Sequence, residues 1–320
     1  IVYVDATKGW IPLNDDDVTD VPVAPPTQKA IFAYGDNGTS HTAISNLVSS
    51  SGVVATDTTG VGTARSNLAA ASYGTDKAIF GYGKTSSELS ITNLVSNSGV
   101  VATDTTGVGT VRMGLAAAAY GLDKAIFGYG AVYSGGWTRY SLTNLVSNSG
   151  VVSADVTGVG TARGWPSAAG YGLDKAIFGY GAPTSGYLSL TNLVTNVGVV
   201  GADVGGVGTA RYSPAAAGYG TDKAIFGWGN SSGGTMNNIT NLVSNTGVVS
   251  ADVTGVGTAR TDLGGAGYGG DKAIFAYGTT GSVTAVSNLV SSSGVVASDV
   301  TGVGTARSGP NMAAGYSISA

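Results

Sequence analysis

Lys124-Ala-Ile-Phe-Gly-Tyr-Gly130, then after a variable gap Leu142-Thr-Asn-Leu-Val-Ser-Asn-Ser-Gly-Val-Val-Ser-Ala-Asp155, then Gly158-Val-Gly-Thr-Ala-Arg163 and a small-residue run ending Tyr171-Gly172, is the third of six copies of one unit. The Lys-Ala-Ile-Phe start recurs at Lys29, Lys77, Lys124, Lys175, Lys223 and Lys272, so the periods are 48, 47, 51, 48 and 49 residues. A period in that range means one supersecondary unit per copy. The second copy holds four short apolar runs, Lys77–Tyr82, Ser90–Val95, Val100–Asp104 and Leu115–Tyr120, separated by turns containing Gly, Asn or Asp. Their Val, Ile, Phe, Tyr and Thr content reads as strands, and no long window carries a helical apolar stripe free of glycine. Four strands in a repeat of this length make the blade of a β-propeller, whereas a β-helix coil needs a shorter repeat.

The order of strands within a blade follows from side-chain volume. The run after each Arg is built almost wholly of Ala and Gly, as in Ala69-Ala70-Ala71, Ala116–Ala119 and Ala215-Ala216-Ala217. Alanine is a poor strand former by itself, but it suits a position where several strands converge on one axis. This run is therefore placed innermost, Lys-Ala-Ile-Phe second, Thr-Asn-Leu-Val third and Gly-Val-Val outermost. The chain enters the repeats at Lys29, a second strand, and leaves after Met312-Ala-Ala-Gly-Tyr316, an inner one. The expectation is an all-β, six-bladed β-propeller of four-stranded antiparallel blades, occupying residues 29–320. The segment Asn311–Ser319 should complete the blade begun at Lys29, removing unpaired edges.

An Ala-rich inner strand preceded by Arg, an apolar strand ending in glycines and an outer pair resemble a kelch-type β-propeller over residues 29–320. Kelch blades carry a Gly-Gly doublet where this chain has Gly81-Tyr82-Gly83, and a Trp where it has Val100-Val101. Residues 1–28 differ from the rest and read as an extended N-terminal arm or linker, with Asp15-Asp16-Asp17 and Pro25-Pro26. The acidic run lacks the spacing of a calcium loop. Tyr3-Val-Asp-Ala-Thr-Lys-Gly-Trp-Ile-Pro12 resembles linker segments of structural proteins of tailed bacteriophages, which implies a fibre-like virion component with its arm on other virion proteins.

Composition narrows the function. The net charge is −4, only 11% of residues are charged, and Lys and Arg are spread one per repeat, so no nucleic-acid partner is expected. No apolar run is long enough for a membrane-spanning helix, and no membrane insertion is expected. One histidine, His41, and no cysteine leave no His-rich or thiolate metal set and few nucleophile–base pairs, so neither metal nor cofactor is expected. The copper oxidase that uses a kelch-type ring depends on a Tyr–Cys crosslink and histidine ligands, which this composition does not supply. A glycosidase-type carboxylate pair has Asp36 and Glu88 as its candidates, on neighbouring blades. No catalytic residue is assigned.

Arg65, Arg112, Arg163, Arg211, Arg260 and Arg307 occur in every repeat, as do Asp57, Asp104, Asp155, Asp203, Asp252 and Asp299. Groups repeated around a ring are expected to hold strands and neighbouring blades together. Two stretches vary instead: the gap between second and third strands, and the residues just after each Arg. Antiparallel strand order puts both on one face, and recognition residues sit on loops carried by rigid scaffolds. Trp137, Arg139, Tyr140, Trp165, Tyr187 and Tyr212 form the candidate binding surface there, since Trp, Tyr and Arg dominate recognition surfaces. A second reading is that loops drift where nothing constrains them. The function expected is a non-enzymatic display module of a virion contacting a host surface glycan or protein. The alternatives are a lectin-like or scaffold propeller of a bacterial surface or secreted protein, or a decorative structural protein.

Overall fold

The computed structural model describes residues 2–5, 9–11 and 27–320. The arm expected over residues 1–28 lies largely outside these. Within it, Val2–Asp5 pairs antiparallel with Gly9–Ile11.

The repeats form six three-stranded antiparallel sheets in a propeller-like all-β arrangement. Five are contiguous in sequence. In the second repeat, for example, the inner strand Ala69–Tyr73 pairs with Lys77–Gly81, which pairs with Thr92–Val95. The sixth is assembled from both ends of the chain, with Ala313–Tyr316 pairing with Lys29–Ala33, which pairs with Ser45–Val48. Ala313–Tyr316 also packs against the inner strands on both sides, Gly264–Tyr268 and Ala69–Tyr73. The Ala- and Gly-rich strands thus lie innermost, as their volume requires.

The outermost run is not a continuous strand. In the third repeat it pairs with the third strand at two isolated bridges, Val146↔Val152 and Thr143↔Val156, and through a Ser153 amide that donates to Leu145 O at 2.8 Å. The reason is a side chain that occupies the ladder. Asn144 Nδ2 donates to Ser153 O at 3.0 Å and to Asp155 Oδ1 at 2.9 Å. The same Asn–Asp contact recurs in every repeat.

Three contacts bind each sheet to the next. First, the aromatic residue after each second strand packs on the Phe of the following sheet, as Tyr82 on Phe127 at 5.2 Å, and the last contact, Tyr277 on Phe32 at 5.3 Å, returns to the first sheet. These aromatics, Tyr34, Tyr82, Tyr129, Tyr180, Trp228 and Tyr277, hold φ between 61° and 66°, a left-handed conformation that costs a non-glycine residue about 1–2 kcal/mol. Their rings are fully buried, which offsets that strain.

Second, each repeated arginine is fully buried, with its Cζ 3.9–4.9 Å from the ring of that aromatic. Arg112 stacks on Tyr82 and reaches into the next sheet. Its Nε donates to Tyr129 O at 2.8 Å, its Nη2 donates to Asn144 Oδ1, and its Nη1 lies 3.6 Å from Asp155 Oδ1.

Third, each repeated aspartate accepts from a threonine of the preceding repeat. Asp104 takes Thr63 N at 3.1 Å and Thr63 Oγ1 at 2.6 Å, and Asp57 takes Thr305 in the same way, joining last repeat to first.

Replacing Arg112 by Met removes the donor while Tyr129 O and Asn144 Oδ1 stay buried. A loss of about 3 kcal/mol in unfolding free energy is expected, measured by denaturant titration. Acid should act through the aspartates. Burial alone would raise each of their carboxyls, but the Thr and Asn hydrogen bonds outweigh it and hold all six below the ordinary 3.8. A carboxyl depressed in the folded state contributes stability above its unfolded pKa, and that contribution is lost as pH falls through the folded value. Thermal midpoints are therefore expected to change little between about pH 7 and 5 and to drop steeply below about pH 4, with Asp57→Asn softening the drop.

Candidate functional site

Both variable stretches emerge at the same end of the sheets, because they bridge to one another. Ser66 pairs with Lys84, Met113 with Ala131, Gly164 with Ala182, Thr261 with Thr279, and Asp36 with Ser308. In the fifth repeat the contact grows into a small sheet, Arg211-Tyr212 with Asn230-Ser231.

In the third repeat the loop is long enough to form its own hairpin, Ala131–Tyr133 with Trp137–Arg139. Tyr133 and Trp137 face each other across it, and aromatic cross-strand pairs of this kind stabilise a hairpin. Glu88 Oε1 accepts the Tyr133 amide at 3.0 Å and fixes the hairpin to the neighbouring loop.

From this hairpin a continuous row of rings crosses the face. Tyr133 meets Trp137 at 5.2 Å, Trp137 meets Trp165 at 5.0 Å, Trp165 meets Tyr212 at 6.5 Å, and Tyr212 meets Tyr187 at 4.8 Å. Tyr133 and Trp137 are exposed, at 56% and 41%, and the other three are half-buried. Arg139 lies beside the row, its Cζ 6.0 Å from the Trp137 ring and its Nε donating to Ala182 O at 3.0 Å.

Trp165 is held from two sides. Its Nε1 donates to Asn67 Oδ1 at 3.1 Å, and the ring lies directly over Gly114. At Gly114, where φ is +59°, an added β-carbon would fall 2.8 Å from Trp165 Nε1. Tyr212 accepts from Asn230 Nδ2 at 3.3 Å. Burial raises the Tyr212 phenol, and the neighbouring Asp262 and Tyr187 add to the rise. Burial likewise raises the Asp262 carboxyl.

Five of the six residues singled out from sequence therefore belong to one surface: Trp137, Arg139, Trp165, Tyr187 and Tyr212. Tyr140 makes no ring contact with the row. It closes the hairpin through its amide, which donates to Gly130 O. Tyr133 stands in the row instead, set opposite Trp137 by the hairpin register. The carboxylate candidates are each engaged locally, Glu88 with the Tyr133 amide and Asp36 with His41 Nδ1 at 3.2 Å and the Gly38 amide.

The opposite end of the sheets differs. A cavity of about 430 Å³ opens there, walled by inner-strand Ala and Gly and rimmed by turn residues such as Thr75, Leu122 and Thr221. Toward the aromatic face the Asn311 side chain spans the axis, donating to Leu115 O at 3.0 Å and Pro166 O at 2.9 Å and accepting from Ser167 Oγ at 2.8 Å. Thr27, where the arm joins the repeats, lines the cavity, and Gln28 N donates to Ser317 O at 2.7 Å. Both ends of the repeat region therefore leave on the face opposite the aromatic row.

No family model matches this chain, and no curated protein matches it. A solved structure, that of YjhT, superposes with a TM-score of 0.56 at 12% identity, over 70% of this chain and 82% of that chain. At that identity the likeness concerns the fold alone. Among the described residues, no helix is long and apolar enough to cross a membrane.

Gly114→Ala is expected to push Trp165 off its seat and break its bond to Asn67. The readout is a changed near-UV circular dichroism spectrum with a stability loss of about 1–2 kcal/mol.

Proposed function

We propose that this chain is a non-enzymatic recognition module built as a closed six-bladed β-propeller over residues 29–320, with residues 1–28 as the tether. The tether joins the ring on one face and the aromatic row occupies the other. On this reading the arm attaches to other proteins of a virion, in a fibre-like component, and the row contacts a glycan or protein of the host surface.

The observation that carries the reading is the row itself. Five rings from four separate segments form one connected surface, and a glycine and an asparagine outside it are arranged to hold Trp165 in place. Large apolar rings left partly open to water, and preorganised, are what binding surfaces use. Loops varying without constraint would not keep such an alignment. A bacterial surface or secreted lectin-like propeller uses the same geometry with a different anchor.

Full-length chain with Trp137→Ala is expected to bind cells or cell-surface glycans at least about tenfold more weakly than wild type, as removal of an aromatic anchor does, while the far-UV circular dichroism of the sheets is retained. Retention of full binding by both Trp137→Ala and Tyr187→Ala would favour a decorative ring.

A further inference from the structure

We propose that the ligand of the aromatic row is a glycan carrying an isolated carboxylate, and that Arg139 is the residue that selects it. This rests on the recognition reading above and adds the chemical class of what is recognised.

The first argument is an inventory of cations. The six repeated arginines are fully buried between sheets. Lys77, Lys124, Lys175, Lys223 and Lys272 each sit 2.7–2.9 Å from the carboxylate of the preceding aspartate, at the turns on the opposite face. Lys29 starts the equivalent strand in the first sheet. That leaves Lys84 and Arg139 as the cations outside the repeated framework on the aromatic face, among the described residues.

Arg139 alone adjoins the rings. Its Nε is used on Ala182 O, which fixes the guanidinium plane. Its two terminal nitrogens form no hydrogen bond or ion pair among the described residues. A planar guanidinium anchored at one edge presents a fork that matches a carboxylate in two-point geometry.

The second argument is shape. Ring centroids 4.8–6.5 Å apart make an elongated strip. Such a strip suits the apolar CH faces of successive pyranose rings, while the hydroxyls stay in water. A cavity of about 290 Å³ lined by Gly186, Tyr187, Ala210, Ser232 and Gly233 extends it beyond Tyr187.

The third argument limits the charge. Glu88 lies at the Tyr133 end of the strip. A polyanion lying along the whole row would meet that carboxylate, and like charges repel. One acidic sugar set at Arg139 among neutral neighbours brings no second charge toward it.

The test uses the full chain on an array of matched glycan pairs, each a neutral oligosaccharide and the same oligosaccharide with one uronic-acid unit, with densely sulfated and polyuronate chains alongside. Wild type is expected to prefer the singly carboxylated member of at least one pair by about tenfold, the worth of one charge-assisted pair. Arg139→Gln should abolish that preference, bringing both members of the pair to the same affinity, and Arg139→Lys should retain part of it. Equal binding of both members of every bound pair, or tightest binding of the polyanions, would overturn the assignment to Arg139 while leaving glycan recognition standing. Binding of no glycan on the array would overturn both.

Discussion

A buried guanidinium at every seam between sheets is the constraint on which the rest depends. An arginine removed from water must find its partners inside the protein, and here one side chain draws them from two sheets. Arg112 takes its aromatic platform from Tyr82 in one sheet and its hydrogen-bond acceptors, Tyr129 O and Asn144 Oδ1, from the next. The distance between neighbouring sheets is then set by the length of that side chain. The ring stacking repeats at every seam while the hydrogen bonds vary: where the two ends of the chain meet, Arg307 stacks on Tyr277 and its Nη2 reaches Phe32 O, but its Nε has no partner.

The Thr–Asp clasp works at a second radius. It uses the outer run of each repeat, whose Val151 equivalents are exposed, to hold the neighbouring repeat. That run contributes little as a strand and more as a carrier for one carboxylate. With the framework stabilised by buried Arg, interlocked rings and clasps, the loops after each second strand bear little of the structural burden. They can differ in length and carry exposed aromatics at one end of the sheets, while both ends of the repeat region leave at the other.

Much of this was legible in the residues. Ala69–Ala71 and its counterparts announce a crowded position by volume alone, and the missing inner strand before Lys29 matches the spare one at Ala313–Tyr316. Antiparallel order is enough to place Trp137 and Trp165 on one face. The expected fourth strand is reduced to isolated bridges, since Val-Val content signals a strand without revealing that Asn144 takes the Ser153 carbonyl beside it. Nothing in the sequence marks Tyr82 and its equivalents as packing residues, because flanking glycines are a turn signal. Its left-handed backbone and its arginine partner belong to the packing. Tyr140 and Tyr133 are indistinguishable by composition, and only the hairpin register decides that Tyr133 faces Trp137.

The sequence by itself determined the unit, its count, its strand character, the order of strands by bulk and the face on which variation accumulates. These are local or periodic properties, written within each stretch of some fifty residues. The tertiary structure decided which rings touch, which cation stays unpaired among them and how Trp165 is seated. Trp165 meets Asn67 across 98 positions of chain, and a contact of that kind exists only once the sheets stand at the spacing that the buried arginines impose.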